Sequence, residues 1–431
     1  MSRNLRIYLT SFIVAVVLLV SSCKTFVVTK EPEPKPTFTP LPTGLPTALP
    51  SASPILTKVS VPSAAWSFAT GAAIWGTASV SGGTVYVGSD DGYLYALEAQ
   101  TGALKWKFAT QGIVRSQPFI AGGLVYVVSD DGFLYAADAR AGAQTWRTDI
   151  GNSVAREVRE KLTTHTNPTG WDYKQSSPIV ADGVVYVGSL DGKIYALAAD
   201  TGRIIWTFVT GGKVRATPVI VDGTIFIGSW DKCFYALDAA TGELRWKTMV
   251  LGQVQSTALV ANGLVYIASR KASVAALDIQ TGKYTWEYSY GPNLWVESSP
   301  ILVNGKLYIG SSGNKWIVGL DGQSGKEFTI FYSKAWHLST PVVLGDMLYI
   351  GGTSFTGEAS IGGLFGFRLV DGKFTGQDHA EWYFTISEKS LEAEGNWSGV
   401  FSSPVVAGSL IYIGGLDGVL YALDTTTWEG R

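Results

Sequence analysis

The side chains able to do chemistry are few, and their spacing favours binding over catalysis. The chain of 431 residues has three histidines, His165, His337 and His379, and two cysteines, Cys23 and Cys233. The histidine spacing matches no zinc-ligand pattern, and a structural zinc needs four nitrogen or sulfur ligands. Two distant cysteines make no disulfide framework. Cys233 lies in Asp231-Lys232-Cys233-Phe234 and should pack as a small apolar residue. Glu388, Glu392 and Glu394 read as a solvated acidic face rather than a metal site. No catalytic residue and no metal site is assigned. What recurs instead is a row of large side chains, each three places before a strand-start proline or its equivalent: Trp75, Arg115, Gln175, Arg215, Gln255, Glu297, Leu338 and Phe401. The row reads first as a solvated rim with internal charge pairs; the alternative is an anionic or peptide ligand held by Arg115 and Arg215.

Charge narrows the partners. Net charge is -2, with Lys+Arg 33 against Asp+Glu 35. Nucleic-acid-binding domains usually carry a basic excess, so nucleic acid is not the expected partner.

Cys23 has a different chemistry in prospect. Arg3 and Arg6 precede an apolar run from Ile7 to Val20, short for a spanning helix and suited to the h-region of a secretory signal. The run ends in Val20-Ser21-Ser22-Cys23, which resembles the bacterial lipobox. That resemblance implies a signal peptide over 1–22 and a lipidated Cys23 anchoring the chain to the bilayer without spanning it. Lys24 follows where inner-membrane retention commonly uses aspartate, leaving the outer membrane or cell surface open. Residues 23–63 are rich in Pro and Thr, as in EPEPKP and TPLPTGLP. Such sequence forms no packed core, and at about 3.1 Å per residue it could hold a folded part up to ~100 Å from the bilayer.

The elements that position the row are spelled by a repeat. Tryptophans at 66, 106, 146, 206, 246 and 286, then a slot near Phe328, then Trp382, are mostly 40 residues apart. Each unit opens with a small-small-Pro start, such as Ser176-Ser177-Pro178; Ala78 and Ala258 replace proline in two units. Turn pairs such as Asp182-Gly183 and Asn262-Gly263 suit two-residue hairpins. A second turn uses Asp91-Gly92, Asp131-Gly132, Asp191-Gly192 or Asp417-Gly418, and a third uses Thr-Gly. Four antiparallel strands per 40 residues is the signature of a propeller blade. The expected fold is an all-β, eight-bladed β-propeller over residues 64–431. Its last unit ends before a fourth strand, and the orphan Ala65–Thr70 around Trp66 should supply it.

The segment Ala236-Leu237-Asp238-Ala239-Ala240-Thr241-Gly242-Glu243-Leu244-Arg245-Trp246 carries the pattern AxDxxTGxxxW. It resembles the tryptophan-docking repeats of pyrroloquinoline-quinone-type propellers, across roughly residues 64–431. The resemblance implies that Trp66, Trp106, Trp146, Trp206, Trp246, Trp286 and Trp382 pack between neighbouring blades, each N–H on a backbone carbonyl. The family includes quinone-dependent dehydrogenases, which hold quinone and calcium over the central face and usually carry a vicinal cysteine pair. This sequence has no such pair and no carboxylate or amide set to carry over for calcium. Neither quinone nor calcium is expected. In lipobox, single propeller and length the chain is closer to the BamB-type lipoproteins. That likeness implies a non-catalytic scaffold in the cell envelope with a protein partner. A quinone-dependent surface enzyme and a carbohydrate- or peptide-binding module are the alternatives.

In such a ring, the row before the prolines should form the mouth of the central channel. Insertions at 152–174, 353–363 and 373–398, with Trp171, Trp382 and Trp397, are the other candidate surface.

Overall fold

The computed structural model describes residues 64–151, 174–271, 273–289, 295–313, 315–333, 335–355, 362–375, 380, 382–386 and 397–428. All belong to the compact unit Leu56–Arg431. Cys23, the Pro/Thr-rich segment, most of the 152–174 insertion, His165, His379 and the three glutamates at 388, 392 and 394 lie outside the described residues.

Eight antiparallel sheets, seven built from one repeat each and the eighth completed by the N-terminal strand, form the eight-bladed propeller. Blade 1 runs Ser79–Ser81, Thr84–Gly88, Tyr93–Glu98 and Leu104–Ala109 from the axis outwards. The first hairpin turns use left-handed backbone, as at Asn262 and Gly263, with φ of 53° and 76°. Asparagine and glycine tolerate that region, which is why these pairs recur there. In the second turn the aspartate acts as an anchor. Asp131 accepts the Phe133 N–H at 3.0 Å, the Tyr135 hydroxyl at 2.7 Å and the Gln111 N–H at 2.9 Å. Burial and that carboxylate push the Tyr135 hydroxyl up to about 12.

The ring closes with strands from both ends of the described chain. Ala64–Ala69 pairs antiparallel with Val419–Asp424, with Trp66 opposite Ala422. The same register puts Trp106 opposite Ala96 and Trp246 opposite Ala236. The N-terminal strand is therefore the fourth strand of blade 8, and Thr425–Trp428 turns off as a short 3-10 helix instead.

The core lies between blades. One cluster joins Tyr186, Ile194 and Ala196 of blade 3 to Ile225, Ile227, Tyr235 and Leu237 of blade 4. Second and third strands are thus buried on both faces, and Val85, Val87, Leu94 and Leu97 are each 0 % exposed. Two devices lock neighbours together. The first is the tryptophan, which reads the next copy of its own motif. The Trp146 N–H donates to the Ala199 carbonyl at 3.0 Å, and its ring covers the turn at Gly202, where a Cβ would sit 2.4 Å from Cε3. Trp66, Trp106, Trp206, Trp246 and Trp286 donate alike to Ala99, Ala139, Ala239, Ile279 and Gly322. In four blades a second-strand tyrosine, such as Tyr126, donates to the same carbonyl. The second device is a glycine ending the second strand, against which the next blade presses a β-branched residue. A Cβ on Gly228 would lie 2.2 Å from Val254 Cγ1, and one on Gly188 would lie 2.4 Å from Val214 Cγ1.

Blades 6 and 7 depart from the rule. Thr329, not Phe328, takes the register position of the missing tryptophan, opposite Gly319. Phe328 sits edge-on to Tyr308 with centroids 6.1 Å apart, in space that a Cβ on Gly319 would enter. Blade 7 is a six-stranded sheet. Its fourth-strand position is Trp382–Thr385, and Trp382 stands opposite Gly366 and packs edge-on to Tyr349 at 5.7 Å. The insertion then returns as Trp397–Gly399 to pair with Thr353–Phe355. That return delivers Val400 and Phe401 to the axis.

Candidate functional site

Eight chain entries converge on the axis, and each brings four consecutive residues with separate tasks. The outermost is the β-branched residue of the glycine lock. It is Ile74, Val114, Val214, Val254, Val296 or Val400 in six blades, but Lys174 in blade 3 and His337 in blade 7. The preceding blade adjusts to Lys174: Val128 stands where Gly88, Gly188 and Gly228 end their strands. His337 is fully buried against Phe365 and Phe367, with Nδ1 3.1 Å from the Gly351 carbonyl. Loss of solvent holds it down to about 4, against the opposing pull of that carbonyl.

Next comes the row singled out in the sequence. Trp75, Arg115, Gln175, Glu297, Leu338 and Phe401 line a cavity of about 110 Å³ on the axis. Arg215 and Gln255 hold the same position in the repeat, but each is 1 % exposed and neither lines the cavity. Arg115 is bidentate to Asp90, at 2.9 and 2.6 Å, and lies 4.8 Å from the Trp75 ring centroid. Arg215 donates to the Lys174 carbonyl at 2.6 Å and stacks on Trp230 at 4.7 Å. Glu297 pairs with Arg270 at 2.5 Å. Arg270 itself lies between the rings of Trp230 and Trp295, 4.9 and 4.7 Å away. Both arginines named in the sequence are therefore engaged within the protein, by an ion pair or by a carbonyl and an indole.

The third residue is small, and its hydroxyl is used as well as its size. Ser116 Oγ accepts the Val128 N–H at 2.9 Å and donates to the Val128 carbonyl at 3.0 Å. Ser402 does the same with Gly414. In blade 1, Gly76 is needed because a Cβ would meet the Arg115 carbonyl oxygen at 2.7 Å.

The fourth residue, just before the proline, lines the cavity in every blade; seven are Ser or Thr and the eighth is Gln117. These side chains link blade to blade around the axis. The Gln117 N–H donates to Ser177 Oγ at 2.9 Å and the Ser177 N–H to Thr217 Oγ1 at 3.1 Å. Thr257 donates likewise to Ser299, Thr340 to Ser403, and Ser403 to Thr77 across the closure.

The cavity is a two-sided cup. Trp75 and Phe401, with centroids 4.6 Å apart, form an apolar half with Leu338, backed by Trp336, Ala73 and Leu416. The other half carries Lys174, Gln175 and Glu297. Gln175 is 7 % exposed, and among the described residues neither its carbonyl oxygen nor its amide nitrogen has a hydrogen-bond partner. Buried Gln255 and the Trp230 Nε1 are unpartnered too. Lys174 donates to the Glu297 carbonyl at 3.4 Å. Desolvation draws its ammonium down to about 8; the Glu297 charge opposes that shift and the Arg270 charge adds to it. Among the described residues, no group of three or more His, Cys, Asp or Glu is placed to hold a metal.

The prolines pointed to one ring of the cup, while Lys174, the hydroxyl ring and the Trp230–Arg270–Trp295 stack escaped the sequence reading. Lys174 was detectable as the lysine in a column of Val and Ile. Trp230 and Arg270 occupy the turn position held by Asp90 in blade 1, so aligning that column would have exposed the pairing rule. A rim side chain in one blade meets the turn side chain of the blade before it, as in Arg115–Asp90 and Glu297–Arg270.

Comparison with known proteins agrees with the geometry. A family model described as outer membrane protein assembly factor BamB matches residues 57–169, 152–232 and 217–329. The crystal structure of BamB from Moraxella catarrhalis is similar with a TM-score of 0.55 and 21% identity, over 64% of this chain and 82% of that one. A computationally designed protein, Ika8, is similar with a TM-score of 0.62 and 12% identity, over 83% of this chain and 97% of that one. At these identities the two structures speak for the fold alone. No curated protein matches the chain. The family matches together run from 57 to 329, more than half of the 431 residues, and the chain belongs to the BamB family of PQQ-like repeat propellers.

Proposed function

We propose that this protein is a lipid-anchored, extracytoplasmic, non-catalytic scaffold that docks a protein partner in outer-membrane protein assembly. The observation that carries the reading is the match of residues 57–329 to a family described as an outer-membrane assembly factor. The mouth face supports it. It carries the partly exposed rings of Trp75, Trp230 and Trp295, and tryptophan is enriched in interface hot spots. A rigid ring bearing such a face suits docking. Quinone, calcium and nucleic acid have no part in this reading.

Anchoring rests on the apolar run Ile7–Val20 and the following Ser-Ser-Cys. The chain recovered from membranes is expected to begin at Cys23 and to carry lipid on it, as read by intact mass spectrometry. A mature chain with another N-terminus, or with an unmodified Cys23, contradicts the anchor. Docking is tested by crosslinking in intact cells and identifying the adducts. Envelope assembly proteins are expected, and adducts without any such protein would remove the scaffold reading.

A further inference from the structure

The cup on the channel axis has unused hydrogen-bonding capacity of a particular kind. Its floor hydroxyls on Ser177, Thr217, Ser299, Ser403 and Thr77 accept backbone N–H groups from the neighbouring blade. A hydroxyl that spends a lone pair in this way still has its proton to give. The floor therefore presents donors. The charges on the wall largely cancel, Arg115 against Asp90 and Glu297 against Arg270. Lys174 is left as the cationic lining group without an ion pair of its own among the described residues. Beside it stands the carboxamide of Gln175, buried, lining the cup and, among the described residues, unsatisfied at both oxygen and nitrogen. Leaving both atoms of a buried amide unmatched is costly, so a complementary occupant is favoured. It must offer both a donor and an acceptor. Opposite lie the apolar faces of Trp75, Phe401 and Leu338.

We propose that the cup binds an α-amido carboxylate bearing a compact apolar side chain. The carboxylate takes the floor hydroxyls, the Lys174 ammonium and the Gln175 N–H; the ligand's amide N–H donates to the Gln175 carbonyl; the apolar group lies on Trp75, Phe401 and Leu338. The enclosed volume of about 110 Å³ is below the roughly 150 Å³ of a closed cavity that holds benzene, so the cup takes the apolar side chain and the polar head while the acyl end extends out of its open mouth. The same chemistry is presented by an N-acylated apolar amino acid and by the C-terminal residue of a polypeptide. The inference rests on the cup and stands independently of the scaffold reading.

The test is calorimetric titration of the full chain with four probes. N-acetyl-L-leucine and a short peptide ending in leucine are expected to bind. N-acetyl-L-leucinamide, lacking the carboxylate, and 4-methylpentanoate, lacking the N–H, are each expected to bind at least about tenfold more weakly. A peptide tighter than the acetylated residue identifies a chain terminus as the source; equal or weaker binding identifies a free acid. Lys174→Met and Gln175→Leu are each expected to weaken N-acetyl-L-leucine by about tenfold or more. Both should fold, since the Lys174 position holds Val or Ile in six blades and the Gln175 position holds Leu338 in blade 7; an unchanged melting temperature checks this. Absence of saturable binding at millimolar concentrations overturns the proposal. So does equal binding of acid and amide, or unchanged affinity in both variants.

Discussion

Trp66→Ala is expected to cost about 3–5 kcal/mol and to leave the ring prone to opening at its seam. The indole covers Gly102, and its N–H donates to Ala99 at 2.9 Å, a carbonyl that also receives the Tyr412 hydroxyl at 3.0 Å. Trp206 makes the same contacts with Gly242 and Ala239. The difference lies in connectivity. Blade 8 takes three strands from the C-terminal end and one from the N-terminal end, so its fourth strand is held only by pairing and docking. Losing the docking frees Ala64–Ala69 and bares Val419–Asp424 as an unpaired edge, open to pairing between molecules. Trp66→Ala should therefore associate with rising concentration in sedimentation, whereas Trp206→Ala should lose stability and stay monomeric. A monomeric Trp66→Ala protein as stable as the parent would show that the seam does not depend on this side chain.

Gly228→Val should be destabilising by about 3 kcal/mol, at the upper end of ordinary overpacking. Its Cβ would fall 2.2 Å from Val254 Cγ1 and 2.4 Å from Val254 Cβ, and Val254 is 0 % exposed with nowhere to retreat. The partner substitution Val254→Ala clears much of that space. The double variant is expected to recover most of the loss, giving a large coupling energy in a double-mutant cycle of denaturation midpoints. At the blade 2–3 junction both partners differ together: blade 2 ends its second strand with Val128, and the following blade supplies Lys174, which has no β-branch, instead of valine. Additive losses in the cycle would contradict the lock.

These two predictions also mark what the sequence makes legible. Blade number, turn positions and ring closure depend on patterns that recur: turn pairs, strand alternation and AxDxxTGxxxW. A recurring pattern can be read against its own copies, and the orphan at Trp66 stood out as half of one. Sidedness within the blade was harder to read. The serine after most rim positions passes for a small residue required by crowding, although the Ser116 and Ser402 hydroxyls fasten the second strand. The tyrosine of the second strand passes for a strand former, although Tyr86, Tyr126, Tyr186 and Tyr412 share a carbonyl with a tryptophan. Such bonds join residues 12 to 73 apart and leave no local signature, apart from the seam bond, which spans 313. Blade 6 shows the limit within the repeat itself. Phe328 is the nearest aromatic to the slot, yet the turn glycine Gly325 fixes the register and assigns the slot to Thr329.

The rim row was legible as a set but not by role. Its members share a position relative to proline, so one ring of side chains could be drawn from the sequence. The carboxylate and guanidinium that pair with Arg115 and Glu297 come from the preceding blade's second turn, and only the closed ring brings Asp90 to Arg115 and Arg270 to Glu297. Pairing withdraws the two arginines that look most available. It leaves Lys174 and Gln175, side by side at the entry to blade 3, as polar groups of the cavity lining with capacity to spare among the described residues.

The scaffold reading places the partner on the mouth face, and a photo-crosslinking amino acid tests that in intact cells. At Lys213, exposed in the loop entering blade 4 on the mouth side, adducts with envelope assembly proteins are expected. At Glu243, exposed in the Thr-Gly turn on the opposite side, they should be absent. Adducts from Glu243 alone, or from neither position, would contradict the account.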